Sequence, residues 1–419
     1  MFLPPQPRFR FYHSPEVFLS AARDGVLGRV NDPAAVTHME QAVARFVDVK
    51  HALEMPQGRV GMYMTLAALL KPGQTVVMSP YTLYDVVNMV LCAGGRPVFA
   101  DVEPDSCNIA AEEVERLIDH RTGAVLVTHL HGLMCDIWSI REICRKRGVP
   151  LLEDACQAFG AVSRERFAGT IGDAGFYSFG RAKNINAFFG GMAVTGRDDL
   201  AATVRERMRQ MPPLDAKVLW KRVAHCLVGG VLTSRLVFPA FTFWLFRHSS
   251  MNNVDSVNKQ LDTEDNPVRR DKVPAHYERR MTGLQARLVE DQLEEVLENN
   301  RKRQEIAEIY FSGLSDVPGV RLPPRRTDGS HIYLSFPIQT PNRLALVKYL
   351  MRHGRDCVIQ HIRNTAELPC FEEFAAHCPN AARTAQEVVL LPTYPGYLPS
   401  EARKNVEVVR RYFRTDYRD

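Results

Sequence analysis

Short apolar runs alternate with amphipathic stretches between about residue 60 and residue 195. Apolar runs without polar alternation are typical of strands that are buried on both faces of a sheet. Strands that alternate with helices predict an α/β domain with a mostly parallel sheet. The runs are TVVM (75–78), PVFAD (97–101), AVLVTH (124–129), VPLLED (149–154), GFYSF (175–179) and GMAVT (191–195).

The pattern changes after residue 199. Residues 199–275 contain a basic helix-like piece, a strongly apolar segment and a polar stretch, and residues 284–314 have the apolar spacing of one long amphipathic helix. Strand-like runs return beyond it, as HIYLSFPI, CVIQHI and VVLLPTYP. We therefore predict a large domain over residues 1–275, with an apolar insert at about 205–270, and a smaller C-terminal α/β domain over residues 276–419.

The composition is that of an ordinary globular protein. Of the 419 residues, 45% are hydrophobic and 24% are charged, which is sufficient for a large core. The net charge of +5 comes from scattered Lys and Arg residues, so we predict no nucleic-acid partner. The nine cysteines form no C-x-x-C pair and the N-terminus has no continuous apolar stretch, which predicts reduced thiols, no secretion signal and a cytoplasmic protein.

Two residues near predicted strand ends carry candidate chemistry. Asp154 ends the run VPLLED, and Lys183 follows the run GFYSF. Ligands of such sheets bind beyond the carboxyl ends of the strands. Pyridoxal phosphate requires an amine that holds its aldehyde and a carboxylate that keeps its pyridine nitrogen protonated. The pair therefore suggests this cofactor, although an aspartate after a strand is more often a helix cap and a lone lysine is more often a surface residue.

Several longer motifs extend this picture because of their order along the chain. They are VTHMEQAVARFVDVKHAL, GQTVVMSPYTLYDVVNMVLCAGGRPVFADVEPDSCNI, VTHLHGLMCDI, EDACQAFGA, YSFGRAKN, RRMTGLQARLVEDQL and VVLLPTYPGY. Together they resemble the DegT/StrS-type sugar aminotransferases, which are fold-type-I pyridoxal-phosphate enzymes. The resemblance covers most of the chain except residues 199–275. It implies an α/β fold with a large, mostly parallel sheet domain that binds the cofactor and a smaller C-terminal α/β domain.

The resemblance implies roles for four of the motif residues. Lys183 is expected to hold pyridoxal 5′-phosphate as a Schiff base and to carry protons between cofactor and substrate. Asp154 is expected to pair with the pyridinium nitrogen, through a charge-assisted hydrogen bond. Gln157 is expected to bind the ring hydroxyl, and Ser178 the phosphate.

The chain departs from the family around the phosphate and the ring face. Gln57, Gly58 and Arg59 stand where the family has Ser-Gly-Thr at the start of a helix. We expect the Gly58 amide still to bind the phosphate and Arg59 either to supply a cation or to block the pocket. Leu83 replaces an aromatic residue that stacks on the cofactor in the family. Glu278 replaces an asparagine that reaches the phosphate from the neighbouring subunit.

The resemblance also implies an activity. We expect an aminotransferase of sugar or polysaccharide biosynthesis that moves an amino group from an amino acid, glutamate by family habit, to a keto group of a sugar-like substrate. A homodimer is expected, with the RRMTGLQ stretch reaching across. Two alternatives remain open. One is another pyridoxal-phosphate reaction such as sugar dehydration, although the family's dehydratases tend to have histidine in place of Lys183. The other is a cofactor-free member that acts as a binding or regulatory protein, which the altered phosphate motif favours.

The apolar segment over residues 223–246 is unusual for this family. It is about long enough to span a bilayer, yet it contains His225, Arg235 and Pro239. Three interpretations remain open. The segment forms a helical hairpin on the core or on a dimer partner, or it contacts a membrane surface through Trp244 and its phenylalanines, or it is a transmembrane helix.

The sequence also contains a His-x-His motif, formed by His129 and His131. A His-x-His motif by itself is weak evidence for a metal site. We therefore predict no metal, and we interpret the two histidines as substrate-site or structural loop residues.

Overall fold

The computed structural model describes residues 5–10, 15–252 and 266–415. Two helices precede the first strand, and strands and helices then alternate as far as residue 209. The elements are α1 (Pro15–Val26), α2 (Pro33–Phe46), β1 (His51–Met55), α3 (Gly58–Leu69), β2 (Thr75–Met78), β3 (Tyr81–Thr82), α4 (Tyr84–Cys92), β4 (Arg96–Phe99), α5 (Ala111–Leu117), β5 (Thr122–Thr128), α6 (Ile137–Arg147), β6 (Leu151–Asp154), β7 (Val162–Ser163), β8 (Arg166–Phe167), β9 (Ala174–Ser178), β10 (Gly191–Thr195) and α7 (Asp198–Arg209).

Seven of these strands form the central sheet, in the order β1-β10-β9-β6-β5-β2-β4. Strands β4, β2, β5, β6 and β9 are parallel, and β10 lies antiparallel between β9 and β1. The predicted mostly parallel sheet is therefore present, and each predicted run contributes a strand. β1 was not among the predicted runs, because the polar residues His51 and Glu54 interrupt it.

The strand directions place several chain segments at one edge of the sheet. The carboxyl ends of β5, β6 and β9 are neighbours, because these strands are parallel and adjacent. β1 runs in the same direction as β9, since both are antiparallel to the strand between them. The start of α3, three residues after β1, therefore lies at the same edge as the ends of β6 and β9.

The second half of the chain adds a second, smaller sheet. Its elements are α8 (Ala216–Leu232), α9 (Phe243–Met251), α10 (Gly283–Leu293), α11 (Val296–Leu314), β11 (Phe336–Gln339), α12 (Arg343–Arg352), β12 (Val358–Ile359), β13 (Arg363–Asn364), α13 (Pro379–Glu387), β14 (Val388–Leu391) and α14 (Pro399–Thr415). Strands β11, β14 and β12 form an antiparallel sheet over its own apolar cluster. Strand β13 pairs antiparallel with β3, which connects this part of the chain to the part that contains the large sheet.

The long helix predicted over residues 284–314 is divided into α10 and α11. Turn residues Glu294 and Glu295 separate them. The two helices pack against different hydrophobic clusters. α10 packs on α2 and the large sheet's cluster, whereas α11 packs on α14 with Tyr310 in the C-terminal cluster. The predicted domain boundary near residue 275 remains a prediction.

The apolar segment lies within two helices, α8 and α9, joined by a turn and one π-helical stretch, Phe238–Thr242. We call residues 216–251 the helix pair. Pro239 lies in the π-helical stretch, where it interrupts regular α-helical bonding. Across the described residues, no helix combines the length and the apolar character that a membrane crossing needs.

A buried carboxylate, Glu153, holds the loops around the end of β6. Its Oε1 accepts hydrogen bonds from the amides of Ile171 and Gly172, both at 2.6 Å, and its Oε2 accepts from the Gly169 amide at 2.9 Å. His129 Nε2 lies 3.0 Å from Oε2. His129 Nδ1 accepts from a backbone amide, so its Nε2 carries the proton and donates to Glu153.

Replacement of Glu153 by Gln is expected to lower the free energy of unfolding by about 2–4 kcal/mol. The amide nitrogen of Gln cannot accept, so two buried donors lose their acceptor at a site with no exposed surface. Urea unfolding measures the loss. Glu142→Gln, at an exposed pair with Arg145, is the matched control and should change stability by less than about 0.5 kcal/mol. Equal effects in the two variants would contradict the assigned role of Glu153.

Candidate active site

Asp154 is the last residue of β6 and is largely buried, with 7% of its surface exposed. Its Oδ1 accepts a hydrogen bond from the Cys156 amide at 3.1 Å, and its carbonyl accepts from the His129 amide at 3.0 Å. The first bond orients the carboxylate at the strand end. The second ties the loop after β5 to the end of β6.

Lys183 lies in the loop that follows β9. Its amide donates to the Gly180 carbonyl at 3.1 Å, and the Ala187 amide donates to the Phe179 carbonyl at 3.0 Å. A Cβ atom placed on Gly180 would lie 3.6 Å from the Ser178 hydroxyl and 3.9 Å from Lys183 Cγ. Ser178 and Lys183 therefore flank Gly180 at the strand end.

The thiol of Cys156 shows that the candidate residues lie together. Burial and the negative charge of Asp154 raise its pKa well above the usual range, while Lys183 and Arg59 act in the opposite direction. A Cβ atom on Gly58 would lie 2.6 Å from Cys156 Sγ. The Asp154 carboxylate and the first turn of α3 thus meet at Cys156, whose amide donates to Asp154 Oδ1.

Glycines allow the first turn of α3 to approach the sheet this closely. A Cβ atom on Gly191 would lie 2.4 Å from the Gly58 nitrogen, and one on Gly58 would lie 3.0 Å from the Tyr177 carbonyl oxygen. Gln57 is the N-cap residue, and its side chain forms no capping hydrogen bond. The start of α3 is therefore positioned by close backbone packing, and its positive dipole end faces the candidate site.

The Arg59 guanidinium forms an ion pair with Asp85, in the first turn of α4. Its Nη1 lies 2.5 Å from Asp85 Oδ2, and the same carboxylate accepts from the Tyr277 hydroxyl at 2.6 Å, from Asn88 Nδ2 at 3.2 Å and from Arg270. Burial opposes the ionisation of Asp85, but these partners outweigh it and lower its pKa. Sequence reasoning did not find this cluster, because nothing in the local pattern around Asp85 marks it.

The other departures from the family are Leu83 and Glu278. Leu83 is the N-cap residue of α4, and the ring of the next residue, Tyr84, lies 5.7 Å beneath the Arg270 guanidinium. Glu278 is half-buried next to Arg279 and Arg280. Arg280 is bound to Glu54, with Nε and Oε1 at 2.9 Å. It therefore serves a carboxylate on β1.

Gln157 binds the loop after β5 through its side chain. Its Oε1 accepts a hydrogen bond from the His131 amide at 2.9 Å. His131 is fully buried with a positive φ of 58°, and burial, together with the positive charge of His361, lowers its pKa to about 4. His331 is also fully buried, and its pKa is lowered by burial and by His131. Neither Nε2 atom has a hydrogen-bond partner among the described residues.

The side-chain amides of two glutamines on α10 bind the loop that carries Lys183. The sequence did not predict this contact. Gln285 Nε2 donates to the carbonyls of Ala187 at 3.2 Å and Phe189 at 2.8 Å. Gln292 exchanges hydrogen bonds with the backbone of Asn186, at 3.0 and 3.1 Å. The loop is therefore anchored on the side that faces α10.

The donor set at this edge of the sheet fits pyridoxal 5′-phosphate. Lys183 offers a primary amine, Asp154 a carboxylate, Gln157 an amide and Ser178 a hydroxyl. The start of α3 offers backbone amides of the kind that bind phosphate. The groups that the cofactor's aldehyde, ring and phosphate require are all present.

Comparison with known proteins decides the family. The sequence profile of the DegT/DnrJ/EryC1/StrS aminotransferase family matches residues 28–410. The chain belongs to this family. It is accordingly an aminotransferase whose cofactor is pyridoxal 5′-phosphate. The resemblance, the fold class and the cofactor predicted from the sequence are thus confirmed.

Individual relatives agree in length and fold. GDP-perosamine synthase of Vibrio cholerae is 26% identical over 386 residues, which is 90% of each chain. Among solved structures, S. venezuelae DesV is similar with a TM-score of 0.76 and 24% identity, over 97% of this chain and 99% of that one. An E. coli GDP-4-keto-6-deoxy-D-mannose-3-dehydratase with bound hydrated pyridoxal phosphate has a TM-score of 0.76 and 17% identity, over 97% and 100%. The roles of individual residues remain predictions.

Acidification is expected to destabilise the protein through His131. Its folded pKa of about 4 lies below the ordinary 6.5, so the unfolded chain binds more protons between these two values. The stabilising contribution is complete above pH 6.5 and is lost as the pH falls towards 4, by up to about 3 kcal/mol. His131→Asn, which tolerates the positive φ, should remove this part of the pH dependence in urea unfolding.

An exposed histidine provides the control for this experiment. His120→Asn should leave the pH dependence of unfolding unchanged. The buried His331 contributes in the same direction, and because His131 is one of the causes that lower its pKa, His131→Asn removes the contribution of His131 together with its effect on His331. An identical acid slope in His131→Asn and in the unsubstituted protein would contradict the prediction.

Proposed function

We propose that the chain moves the amino group of an amino acid, glutamate, to a keto group of a sugar-like substrate. The observation that carries the proposal is that Asp154, the loop with Lys183 and the first turn of α3 follow β6, β9 and β1 at one edge of the sheet, where Cys156 contacts both Asp154 and Gly58. The perosamine synthase relative supports a sugar-like substrate, because its name describes the synthesis of a sugar.

Lys183 and Asp154 would divide the chemistry between them. When bound, pyridoxal phosphate supplies an electron sink for a substrate carbon that loses a proton. We assign to the Lys183 amine the covalent attachment of the cofactor and the transfer of that proton. We assign to the Asp154 carboxylate the charge-assisted hydrogen bond that keeps the ring nitrogen protonated. Its partial burial strengthens such a bond, because water competes less for it.

The phosphate would lie at the start of α3. We assign its binding to the Gly58 amide and the Ser178 hydroxyl, with the helix dipole adding attraction. Arg59, in this turn, shares the Asp85 carboxylate with Arg270. We expect the positive charge of Arg59 to add attraction for the phosphate.

Transamination is favoured over sugar dehydration on this scaffold. The dehydratase neighbour is 17% identical and shares the fold alone. The family's dehydratases tend to have histidine at the position of Lys183, and this chain retains the primary amine. The retained set of Lys183, Asp154, Gln157 and Ser178 likewise argues against a cofactor-free binding protein.

We also propose a homodimer in the cytoplasm. The RRMTGLQ stretch begins at Arg279, lies next to the loop that carries Lys183 and places Glu278 near its start. Family members place this stretch at the subunit boundary. The nine cysteines are free, which agrees with a reducing compartment. Sedimentation velocity tests the dimer, and a monomer at micromolar concentration would contradict it.

Lys183→Ala is expected to abolish covalent attachment of the cofactor, because Lys183 is the lysine of the loop that follows β9. The measurement is the visible absorption spectrum with added pyridoxal phosphate, followed by borohydride reduction and mass spectrometry. The unsubstituted protein should retain the reduced cofactor at Lys183, and the variant should not. Transfer from glutamate to a keto-sugar should fall by at least about 100-fold.

Lys71→Ala is the matched control, since Lys71 is exposed and remote from the strand ends. It should retain both the spectrum and the activity.

Asp154→Asn should keep the covalent attachment of the cofactor but lose amino transfer, because a neutral amide no longer keeps the ring nitrogen protonated. Covalent cofactor in Lys183→Ala, or full activity in Asp154→Asn, would refute the assignments.

A further inference from the structure

The helix pair is apolar on two sides. On one side, Leu219, Val223 and Cys226 of α8 are buried in the cluster of the large sheet. Phe238 and Phe243 are buried in the C-terminal cluster. The helix pair is therefore attached to both cores, and its position relative to the sheet is determined by this packing.

The opposite side of the helix pair is also apolar, and it faces solvent. Of the seventeen exposed large hydrophobic residues in the described chain, ten lie between residues 216 and 251. They are Val218, Trp220, Leu227, Val228, Val231, Leu232, Leu236, Phe241, Trp244 and Leu245. Single exposed apolar residues are common, but a concentration of this kind marks an interaction surface. A helix that is apolar all round is normally buried in protein or in a membrane.

The exposed residues have the spacing of continuous helix faces. Leu227 and Val231 lie four residues apart on one face of α8, and Trp220, seven residues before Leu227, lies on the same face with its ring partly covered by Gly25 of α1. The end of α8 meets the π-helical stretch, because Thr242 Oγ1 donates to the Leu232 carbonyl at 2.8 Å. Leu236, in the turn between the helices, is 85% exposed. The junction is thus an apolar tip.

The charges in this region have one sign. Between residues 216 and 252 there is no Asp or Glu, and there are five basic residues. They are Lys217, Lys221, Arg222, Arg235 and Arg247. Lys217, Lys221 and Arg235 are exposed, and the Arg247 guanidinium lies 5.2 Å from the Trp244 ring centre. Apolar side chains, tryptophans and an exclusively basic border are the features of helices that lie in the interface of anionic membranes.

We propose that the helix pair docks this protein on an anionic lipid surface. The apolar tip and the exposed face of α8 would enter the boundary of the acyl chains, and the basic residues would contact the headgroup phosphates. A second copy of the chain fits this face less well. A two-fold interface brings the same patch of both copies together, and here it would set basic residues against basic residues.

Docking would place the Lys183 loop near the lipid surface. Arg222 of α8 lies over the Phe189 ring, 4.0 Å from its centre, and Arg181 Nη1 lies 2.6 Å from His225 Nε2. Both Phe189 and Arg181 belong to the loop that carries Lys183. The helix that would contact the membrane is therefore also a support of that loop.

Vesicle flotation of the full-length protein tests the proposal. The vesicles are phosphatidylcholine alone, or phosphatidylcholine and phosphatidylglycerol in equal parts. The protein is expected to float with the mixed vesicles and to remain in the dense fraction with phosphatidylcholine alone. Raised salt should weaken the binding, because it screens the basic residues. Protein that stays in the dense fraction with both kinds of vesicle would overturn the proposal.

Surface variants test the apolar contact and the charge attraction separately. Leu236→Ser with Phe241→Ser should weaken binding to mixed vesicles by at least about tenfold. Lys217→Glu with Lys221→Glu should weaken it by at least about fivefold for each charge. Leu344→Ser with Leu398→Ser, at exposed apolar positions outside the helix pair, is the matched control and should bind unchanged.

Folding and self-association are followed in the same samples. Circular dichroism melting shows whether each variant is folded, and the charge variants replace exposed side chains that the fold does not bury. Light scattering shows the oligomeric state. If the serine variants dissociate a dimer and leave flotation unchanged, the face is a subunit interface and the lipid proposal is overturned.

Discussion

The buried carboxylate of Glu153 is the interaction on which the candidate site depends. It is the neighbour of Asp154 in β6 and points to the opposite side of the strand, as successive residues of a strand do. There it binds three amides of the segment before β9 and the His129 ring after β5. The loop after β5, the end of β6 and the segment that leads into β9 are thereby held by one side chain. A buried charge is tolerated at this position because its oxygens are fully hydrogen-bonded.

Electrostatics around the start of α3 differ from what the family pattern implies. A hydroxyl is expected where Arg59 stands, and the arginine is balanced by Asp85, with Arg270 and Tyr277 sharing that carboxylate. The presence of Arg59 in place of a hydroxyl residue is therefore accompanied by partners from several segments of the chain. Arg270 and Tyr277 come from the stretch before α10, so the corner of α3 and α4 is closed by a part of the chain almost two hundred residues away.

The loop that carries Lys183 is supported from two sides. Gln285 and Gln292 of α10 hold its backbone by hydrogen bonds, and Arg222 and His225 of α8 contact its side chains. A loop without regular structure would otherwise sample many conformations, and catalysis requires the amine to remain in one place. One support, α8, lies within the segment least similar to the family, and the other, α10, follows that segment, so the unusual helix pair is connected with the conventional part of the site.

The sequence by itself determined the sheet, the family and the identity of the candidate cofactor ligands. Buried parallel strands require uninterrupted apolar runs, and motifs such as EDACQAFGA and YSFGRAKN keep their order along the chain. It did not predict β1, where the Glu54 side chain binds Arg280 and the Glu54 amide donates to Glu40, nor the break between α10 and α11. The partner of Arg59, the supports of the Lys183 loop and the burial of His131 were decided only by the tertiary structure. The physical reason is that each depends on contacts between residues distant in the chain, and local periodicity records which face of an element is buried but not which element buries it.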